Sequence, residues 1–425
     1  MSSKNDGPLA DADMENLAKA FNSREKIINK LDFSDNFFCT FSLPCLKGSN
    51  NESTRAQTKC SFTKRMKKFF ENLKLDNLEE VDFSKDPNLI FQPLESFFVS
   101  TSCRNLKKLN VSNTSFFRGV FSANKFIQNI NDNIEELNFS GSNLHNLKIA
   151  QLNIIAKHLK RTKLIKIDLS NNTKDYDFNN GFENFRQFIF EIMDSKTITD
   201  LNISGNNIQE EVFNVNFARK LEENPTLRKL NISSDIFYGK LDLLTEVLKK
   251  NNTLQDLNVA DNFNKYLPQE KRQSFATALK DNYTLQKLTI FQELYDELKE
   301  TLDRNKRISE KSKILFGEEG VGELMLGRKI KELNVTLQKS FSPEKTQEII
   351  DIVLTNCIFI ENIKSAKVEM AMEKISIDEF PERALINKEV NDFLTSITKK
   401  RSAESGVPSS IPGSARLGGA KRTRP

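Results

Sequence analysis

Apolar residues in this chain recur in a frame that is neither helical nor strictly alternating: apolar-x-x-apolar-x-apolar, then three mostly polar positions. It appears as "INKLDFSDN", "LEEVDFSKD", "LKKLNVSNT", "IEELNFSGS", "LIKIDLSNN", "ITDLNISGN", "LRKLNISSD", "LQDLNVADN" and "LQKLTIFQE". The fourth positions are Leu31, Val81, Leu109, Leu137, Ile167, Leu201, Leu230, Leu257 and Leu288, separated by 50, 28, 28, 30, 34, 29, 27 and 31 residues. Such a period is an internal repeat. Residues 4 and 6 are two apart, as on one face of a short strand, so positions 3, 5 and 7 face the other way. Position 9 is Asn36, Asn172, Asn206 and Asn262 in four units, a side chain suited to satisfying backbone groups where the chain leaves the strand.

Between the strands, "NFARKLEENPT", "LLTEVLKKNNT" and "SFATALKDNYT" place apolar residues at i, i+3 or i+4 and i+7, which predicts helices stopping at their asparagines. Strands that return through helices to parallel neighbours predict an α/β fold, a curved solenoid with a parallel concave sheet and convex helices. In these residues the chain resembles the leucine-rich-repeat family, in its long-repeat, ribonuclease-inhibitor-like branch, over roughly residues 16 to 308. The resemblance implies a binding scaffold whose protein partner meets the concave sheet. The branch is similar to actin-capping tropomodulins, cytoskeletal and ciliary scaffolds and host-directed effectors of intracellular bacteria alike, so the partner stays open.

Position 3 of the successive units reads Lys30, Glu80, Lys108, Glu136, Lys166, Asp200, Lys229, Asp256, Lys287, an alternation of sign through all nine. Parallel strands about 4.7 to 4.9 Å apart set each of these beside its opposite. Two readings follow: a self-neutralising ladder that specifies which strand stacks on which, and a charge-striped docking face. The candidate protein-binding residues of the concave face are Lys108, Glu136, Lys166, Asp200, Lys229 and Asp256 at position 3, with Asn110, Asn138, Asp168, Asn202, Asn231 and Asn258 at position 5. Alternation also makes units 1 and 2 neighbours despite their wide spacing. The excess is then an insertion at about 37–60, either functional or disordered. In the adjoining "FTKRMKKFFENL", Phe62, Met66, Phe69, Phe70 and Leu73 form one helical stripe, which predicts a core-packed helix.

The expected organisation is a disordered N-terminus at 1–15, a nine-unit solenoid at 16–308, a helical C-terminal domain at 309–400 and a basic disordered tail at 401–425. "ELYDELKETLDRNKRI" is suited to closing the open end of the array. Ser342 and Pro343 open a helix as N-cap and first helical residue, and another starts at Pro381. "IKELNVTLQ" at 330 fits the strand frame, but it lies far beyond the ninth unit and is read as helix. In the tail, Ser409-Ser410-Ile411-Pro412 resembles the Ser-x-Ile-Pro motif that docks on microtubule plus-end-binding proteins, with Ser409, Ile411 and Pro412 as its residues. A solubilising tail and a localisation signal at "KRTRP" are the alternatives.

Charge narrows the partners. The net +5 is concentrated: residues 399–425 carry +6 and residues 37–68 another +6, leaving the remainder at −7. A broad basic face for nucleic acid is not expected. Cys39, Cys45, Cys60, Cys103 and Cys357 are too scattered for a disulfide framework, and with only His145 and His158 they make no zinc set. "GVGELMLGRKI" lacks the Lys-Ser/Thr pair of a phosphate loop, because Arg328, Lys329 and Ile330 follow Gly327. No catalytic residue, cofactor or metal is therefore read. Without a membrane-length apolar run or an apolar leader, the chain reads as cytoplasmic, or in the host cytoplasm if it is a secreted effector. The expected function is a non-enzymatic protein-interaction scaffold, either a cytoskeleton-associated adaptor or a bacterial effector delivered into a host cell. An enzyme with its active site in the helical C-terminal domain is the alternative of a different class.

Overall fold

Nine strands of three residues form one parallel sheet in chain order: β1 (Lys30–Asp32), β2 (Glu80–Asp82), β3 (Lys108–Asn110), β4 (Glu136–Asn138), β5 (Lys166–Asp168), β6 (Asp200–Asn202), β7 (Lys229–Asn231), β8 (Asp256–Asn258) and β9 (Lys287–Thr289). The structure is a computed structural model and describes residues 11–23, 28–34, 68–87, 89, 91–99, 103–117, 123–173, 181–206, 214–234, 240–262, 268–316, 330–339 and 341–356. Each strand is positions 3 to 5 of the sequence frame. The register joins like to like, as in Leu31↔Val81 and Leu257↔Leu288. β1 pairs directly with β2, so the wide gap between units 1 and 2 is taken up outside the sheet. The insertion itself, 37–60, lies outside the described residues.

Burial follows the frame. Position 4 is buried in every unit, as are position 1 from Leu78 to Leu285 and position 6 from Phe83 to Val259. Each such side chain contributes on the order of 1.5–3 kcal/mol of hydrophobic stabilisation. The first half of the core is aromatic: edge-to-face and stacked contacts run from Phe33 through Phe70, Phe83 and Phe97, and from Phe91 through Phe116 and Phe126 to Phe139. Beyond Phe139, position 6 is aliphatic (Leu169, Ile203, Ile232, Val259). Phe69, Phe70 and Leu73 are buried as their stripe predicts; Phe62 and Met66 lie outside the described residues.

The chain leaves β2 to β8 through a left-handed residue at position 8. Lys85, Asn113, Gly141, Asn171, Gly205, Ser234 and Asp261 all have φ between +55° and +64°. At Gly141 and Gly205 a side chain is doubly excluded, because a Cβ would stand 2.7 Å from Oδ1 of Asn113 and of Asn171, the position-8 asparagines of the preceding units. Among the position-9 asparagines, Asn172 Nδ2 donates to the carbonyls of Leu169 and Phe139 while its Oδ1 accepts from the amides of Ser142 and Leu144. Asn206 and Asn262 bond the backbone in the same manner. Asn36 lies outside the described residues.

The return legs hold helices at Phe91–Val99, Ala123–Asn129, Ile149–Leu159, Gly181–Met193, Val215–Glu223, Leu241–Lys250 and Gln269–Lys280. A helix with its side chains is about 10–12 Å across and a strand takes about 4.8 Å, so stacking units splay on the helix side and set the sheet on the inner surface. Second corners close the helices. Asn224, Asn251 and Asn282 are buried; their Oδ1 atoms accept from amides two and three residues on, and their Nδ2 atoms donate back to Met193, Leu221 and Leu248 of the preceding unit.

At the first end of the array a helix precedes the strands. The first helix is Asp11–Asn22, so it begins inside the stretch 1–15 expected to be disordered. Its Ala18 is buried, and Asn22 accepts from the amide of Lys74 and donates to the carbonyl of Asn72, which fastens the helix to the first unit. At the other end, the first compact unit runs to Arg304, whose guanidinium bonds the last repeat. The closing helix, Gln292–Phe316, buries Leu294, Leu298 and Leu302. The second unit begins at Asn305. Its described parts include a helical stretch at 330–337 and a helix Pro343–Asn356 whose Ser342 Oγ accepts from the amide of Lys345. The segment starting at Pro381 lies outside the described residues.

Candidate protein-binding face

The register puts position 3 of every unit beside its opposite charge on the next strand, from Lys30↔Glu80 to Asp256↔Lys287. The charges resolve into separate pairs: Lys30–Glu80 at 2.6 Å, Lys108–Glu136 at 2.6 Å, Lys229–Asp200 at 3.9 Å and Lys287–Asp256 at 3.2 Å. The lysines stand exposed and the acids are half-buried, because Lys reaches past the shorter Asp and Glu. Hydrogen bonding and charge from Glu136 raise the Lys108 ammonium above the ordinary lysine range. Burial raises the Asp200 carboxyl above the ordinary carboxylate range, outweighing the opposing pull of Lys166 and Lys229.

Position 5 forms a second row. Asn110, Asn138, Asp168, Asn202, Asn231 and Asn258 are half-buried, and the Oδ1 of each accepts from the backbone amide two residues on, at Ser112, Ser140, Ser170, Ser204, Ser233 and Ala260. Half of each side chain is thus committed to the turn after the strand. Some amide groups also tie neighbouring strands: Asn110 Nδ2 donates to Asp82 Oδ2 at 3.0 Å, Asn202 to Asp168 Oδ2 at 2.9 Å, and Asn231 to Ser204 Oγ. All twelve expected residues therefore lie on one face of one sheet in two parallel rows. Ser409, Ile411 and Pro412 lie outside the described residues.

The helix side carries its own ion pairs between successive units: Lys125–Glu95 at 2.6 Å, Lys160–Glu191 at 2.5 Å, Lys220–Asp194 at 2.5 Å, Lys250–Glu222 at 3.2 Å and Lys271–Asp242 at 2.7 Å. Pairs spread along helices give no fixed sequence frame, so the repeat pattern does not reveal them. The recurring Asn-x-Thr-Leu at 224, 251 and 282 was a readable signal for the buried corners, because an asparagine at constant distance from position 1 has the same task in each unit.

Among the described residues no group of His, Cys, Asp and Glu is placed to hold a metal ion, and no helix is long and apolar enough to cross a membrane. Cys103 is a buried free thiol whose Sγ donates to the Phe97 carbonyl at 3.2 Å, and burial raises it well above the ordinary thiol range. His158 is half-buried on the helix side, and desolvation holds it below the ordinary imidazole range.

No family model matches the chain, and no curated protein matches it. Solved structures do. The leucine-rich repeat-containing protein LegL7 from Legionella pneumophila is 15% identical, over 68% of this chain and 94% of that one, with a TM-score of 0.42. The tropomodulin C-terminal domain of Caenorhabditis elegans is 18% identical, over 38% of this chain and 94% of that one, with a TM-score of 0.32. Leiomodin-1 actin-binding site 2 is 20% identical, over 38% of this chain and 91% of that one, with a TM-score of 0.32.

Proposed function

We propose that this leucine-rich-repeat solenoid is a non-enzymatic protein-interaction scaffold that holds its partner on the inner face of the sheet, in the cytoplasm. The observation that carries the reading is the pair of polar rows at positions 3 and 5. Nine strands in unbroken register present them as one continuous surface, anchored from behind by buried residues at positions 1, 4 and 6. A rigid surface of this kind binds without first having to order itself, which removes part of the cost of association. Units of about 29 residues with full helices in the return legs support the long-repeat, ribonuclease-inhibitor-like branch.

The test is affinity purification of the intact chain, of a variant with Lys108, Lys166 and Lys229 replaced by Gln, and of one with Lys125, Lys220 and Lys271 replaced by Gln. Quantitative mass spectrometry should show proteins retained by the wild type and by the helix-side variant but lost from the sheet-side variant. Loss from the helix-side variant alone would place binding on the other surface and refute the reading.

A further inference from the structure

β1 ends the sheet, with a neighbouring strand on one side only. The Asn29 carbonyl accepts from the amides of Glu79 and Glu80, and the Phe33 amide donates to the Asp82 carbonyl, so residues 29, 31 and 33 turn their backbone groups toward β2. Those of Lys30 and Asp32 therefore point away from the sheet, and among the described residues they bond to nothing. The N-terminal helix is fastened elsewhere, by Phe21 to Phe69, by Glu15 to Lys68 and by Asn22 to Asn72 and Lys74. The core is also less covered at this end: Ile28 and Phe33 are half-buried, where positions 1 and 6 are buried in the units of β2 to β8.

The side chains of this edge complement themselves. Lys30 and Asp32 stand exposed on the sheet face, on either side of the buried Leu31. Glu80 holds Lys30 from the β2 side at 2.6 Å, and no acid lies beyond it. Asp32 accepts from the Ser34 amide at 2.9 Å, lies in register beside the like charge of Asp82, and makes no ion pair within 4.0 Å among the described residues. A lysine with room for a second acid and an aspartate without a paired cation thus sit two residues apart on the one strand whose outer groups are open.

We propose that this edge pairs with the same edge of a second copy of the chain, β1 antiparallel to β1 about a two-fold axis at Leu31. Lys30 of each copy then lies opposite Asp32 of the other, and these are the hydrogen-bonded pairs of the new ladder, made by the groups that point outward. Leu31 meets its equivalent as the closer, non-bonded pair on the core side. Lys30 gains an acid on both sides, as Lys108 has between Glu80 and Glu136. Charge opposes the other self-pairings. Parallel β1 strands in register would set Lys30 beside Lys30 and Asp32 beside Asp32. Continuing the array head to tail would set Lys287 beside Lys30, because the alternation begins and ends on lysine. At the far edge β9 reads Lys-Leu-Thr and has no acid to offer its own copy. The contact is therefore a closed dimer in which two solenoids share one sheet.

The experiment is sedimentation velocity of the full-length chain over a concentration series, for wild type, Lys30→Glu, Asp32→Lys, Lys287→Glu and an equimolar mixture of the first two variants. Thermal melts establish that each variant is folded. Wild type and Lys287→Glu should pass reversibly from monomer to dimer. Lys30→Glu and Asp32→Lys should each associate roughly tenfold more weakly or worse, because each sets like charges opposite each other twice across the two-fold axis. Their mixture should dimerise with near wild-type strength, since every position across the axis then faces its opposite charge again. A wild type that stays monomeric up to near-millimolar concentration overturns the proposal. So do dimers that neither single reversal weakens, a mixture that fails to recover, and assemblies that grow beyond the dimer. The scaffold reading does not depend on the outcome.

Discussion

Arg304 donates to the backbone carbonyl of Asn282 at 2.7 Å and to that of Lys280 at 2.9 Å, the corner where a tenth repeat would place its own bridging asparagine. One unit earlier, Asn282 Nδ2 reaches the Leu248 and Asn251 carbonyls in the same way. Arg304 is buried and its guanidinium lies 4.2 Å from the centre of the Tyr283 ring, so the closing helix ends the array by completing its hydrogen bonds as well as by covering its core. Arg304→Ala leaves the buried carbonyl of Asn282 and the part-buried carbonyl of Lys280 without these donors, at about 1–3 kcal/mol for the first and less for the second. Chemical denaturation should show a loss of about 2–4 kcal/mol, and hydrogen exchange should show β9 fraying before β5.

The buried corner at Asn251 makes a separate prediction. Asn251→Ala removes the acceptor for the Thr253 and Leu254 amides and the donor to the Leu221 carbonyl, with an expected loss of about 2–4 kcal/mol. Asn251→Asp restores the acceptor, forfeits the donor and buries a charge. Its stability should fall close to that of the alanine variant and recover when the carboxyl is protonated at acid pH. Equal stability of Asp and Asn at neutral pH would show that the bridge to Leu221 contributes nothing.

At position 8 the effect of glycine depends on the unit. Gly205→Ala meets both a φ of +63° and a contact of 2.7 Å with Asn171 Oδ1, so a loss of about 1–3 kcal/mol is expected. Asn171→Gly in the same chain should return part of it, because it removes the contact at a position whose own φ of +57° suits glycine. Asp261→Gly, at φ +62°, should be neutral or stabilising by a few tenths of a kcal/mol. Thermal melts of the three variants and the wild type give the comparison.

Lys166 tests how much the position-3 ladder contributes to stacking. Lys166→Gln should change stability by less than about 0.5 kcal/mol, because no pair is broken. Lys166→Glu sets three acids in a row with Glu136 and Asp200 and should cost about 0.5–1 kcal/mol at low salt, less at high salt. A large loss in the glutamine variant would show that Lys166 is a structural partner after all.

The strands were legible because position 4 must be buried and positions 3 and 5 must not, a demand repeated nine times with little drift. The ladder was legible for the same reason: register turns a column of the sequence into a row of the sheet. Pairing within the ladder was not, since Lys108 has an acid on either side and only side-chain geometry decides for Glu136. Position 5 was read as free surface, although a Ser at position 7 in most units marks the amide that its side chain accepts from. Arg304 had no signal, because a cap occurs once and a repeat pattern reveals only what recurs. Leu294, Leu298 and Leu302, by contrast, showed their helical face plainly.

The most direct test of the central claim is site-specific photocrosslinking in cells, with a benzophenone amino acid placed at Ile165, exposed immediately before β5, or at Lys157 on the exposed side of helix Ile149–Leu159 in the preceding unit. If the inner face holds the partner, illumination yields a discrete protein adduct from position 165 and none from 157. Adducts from position 157 with none from 165 would put the partner on the helices and contradict the account.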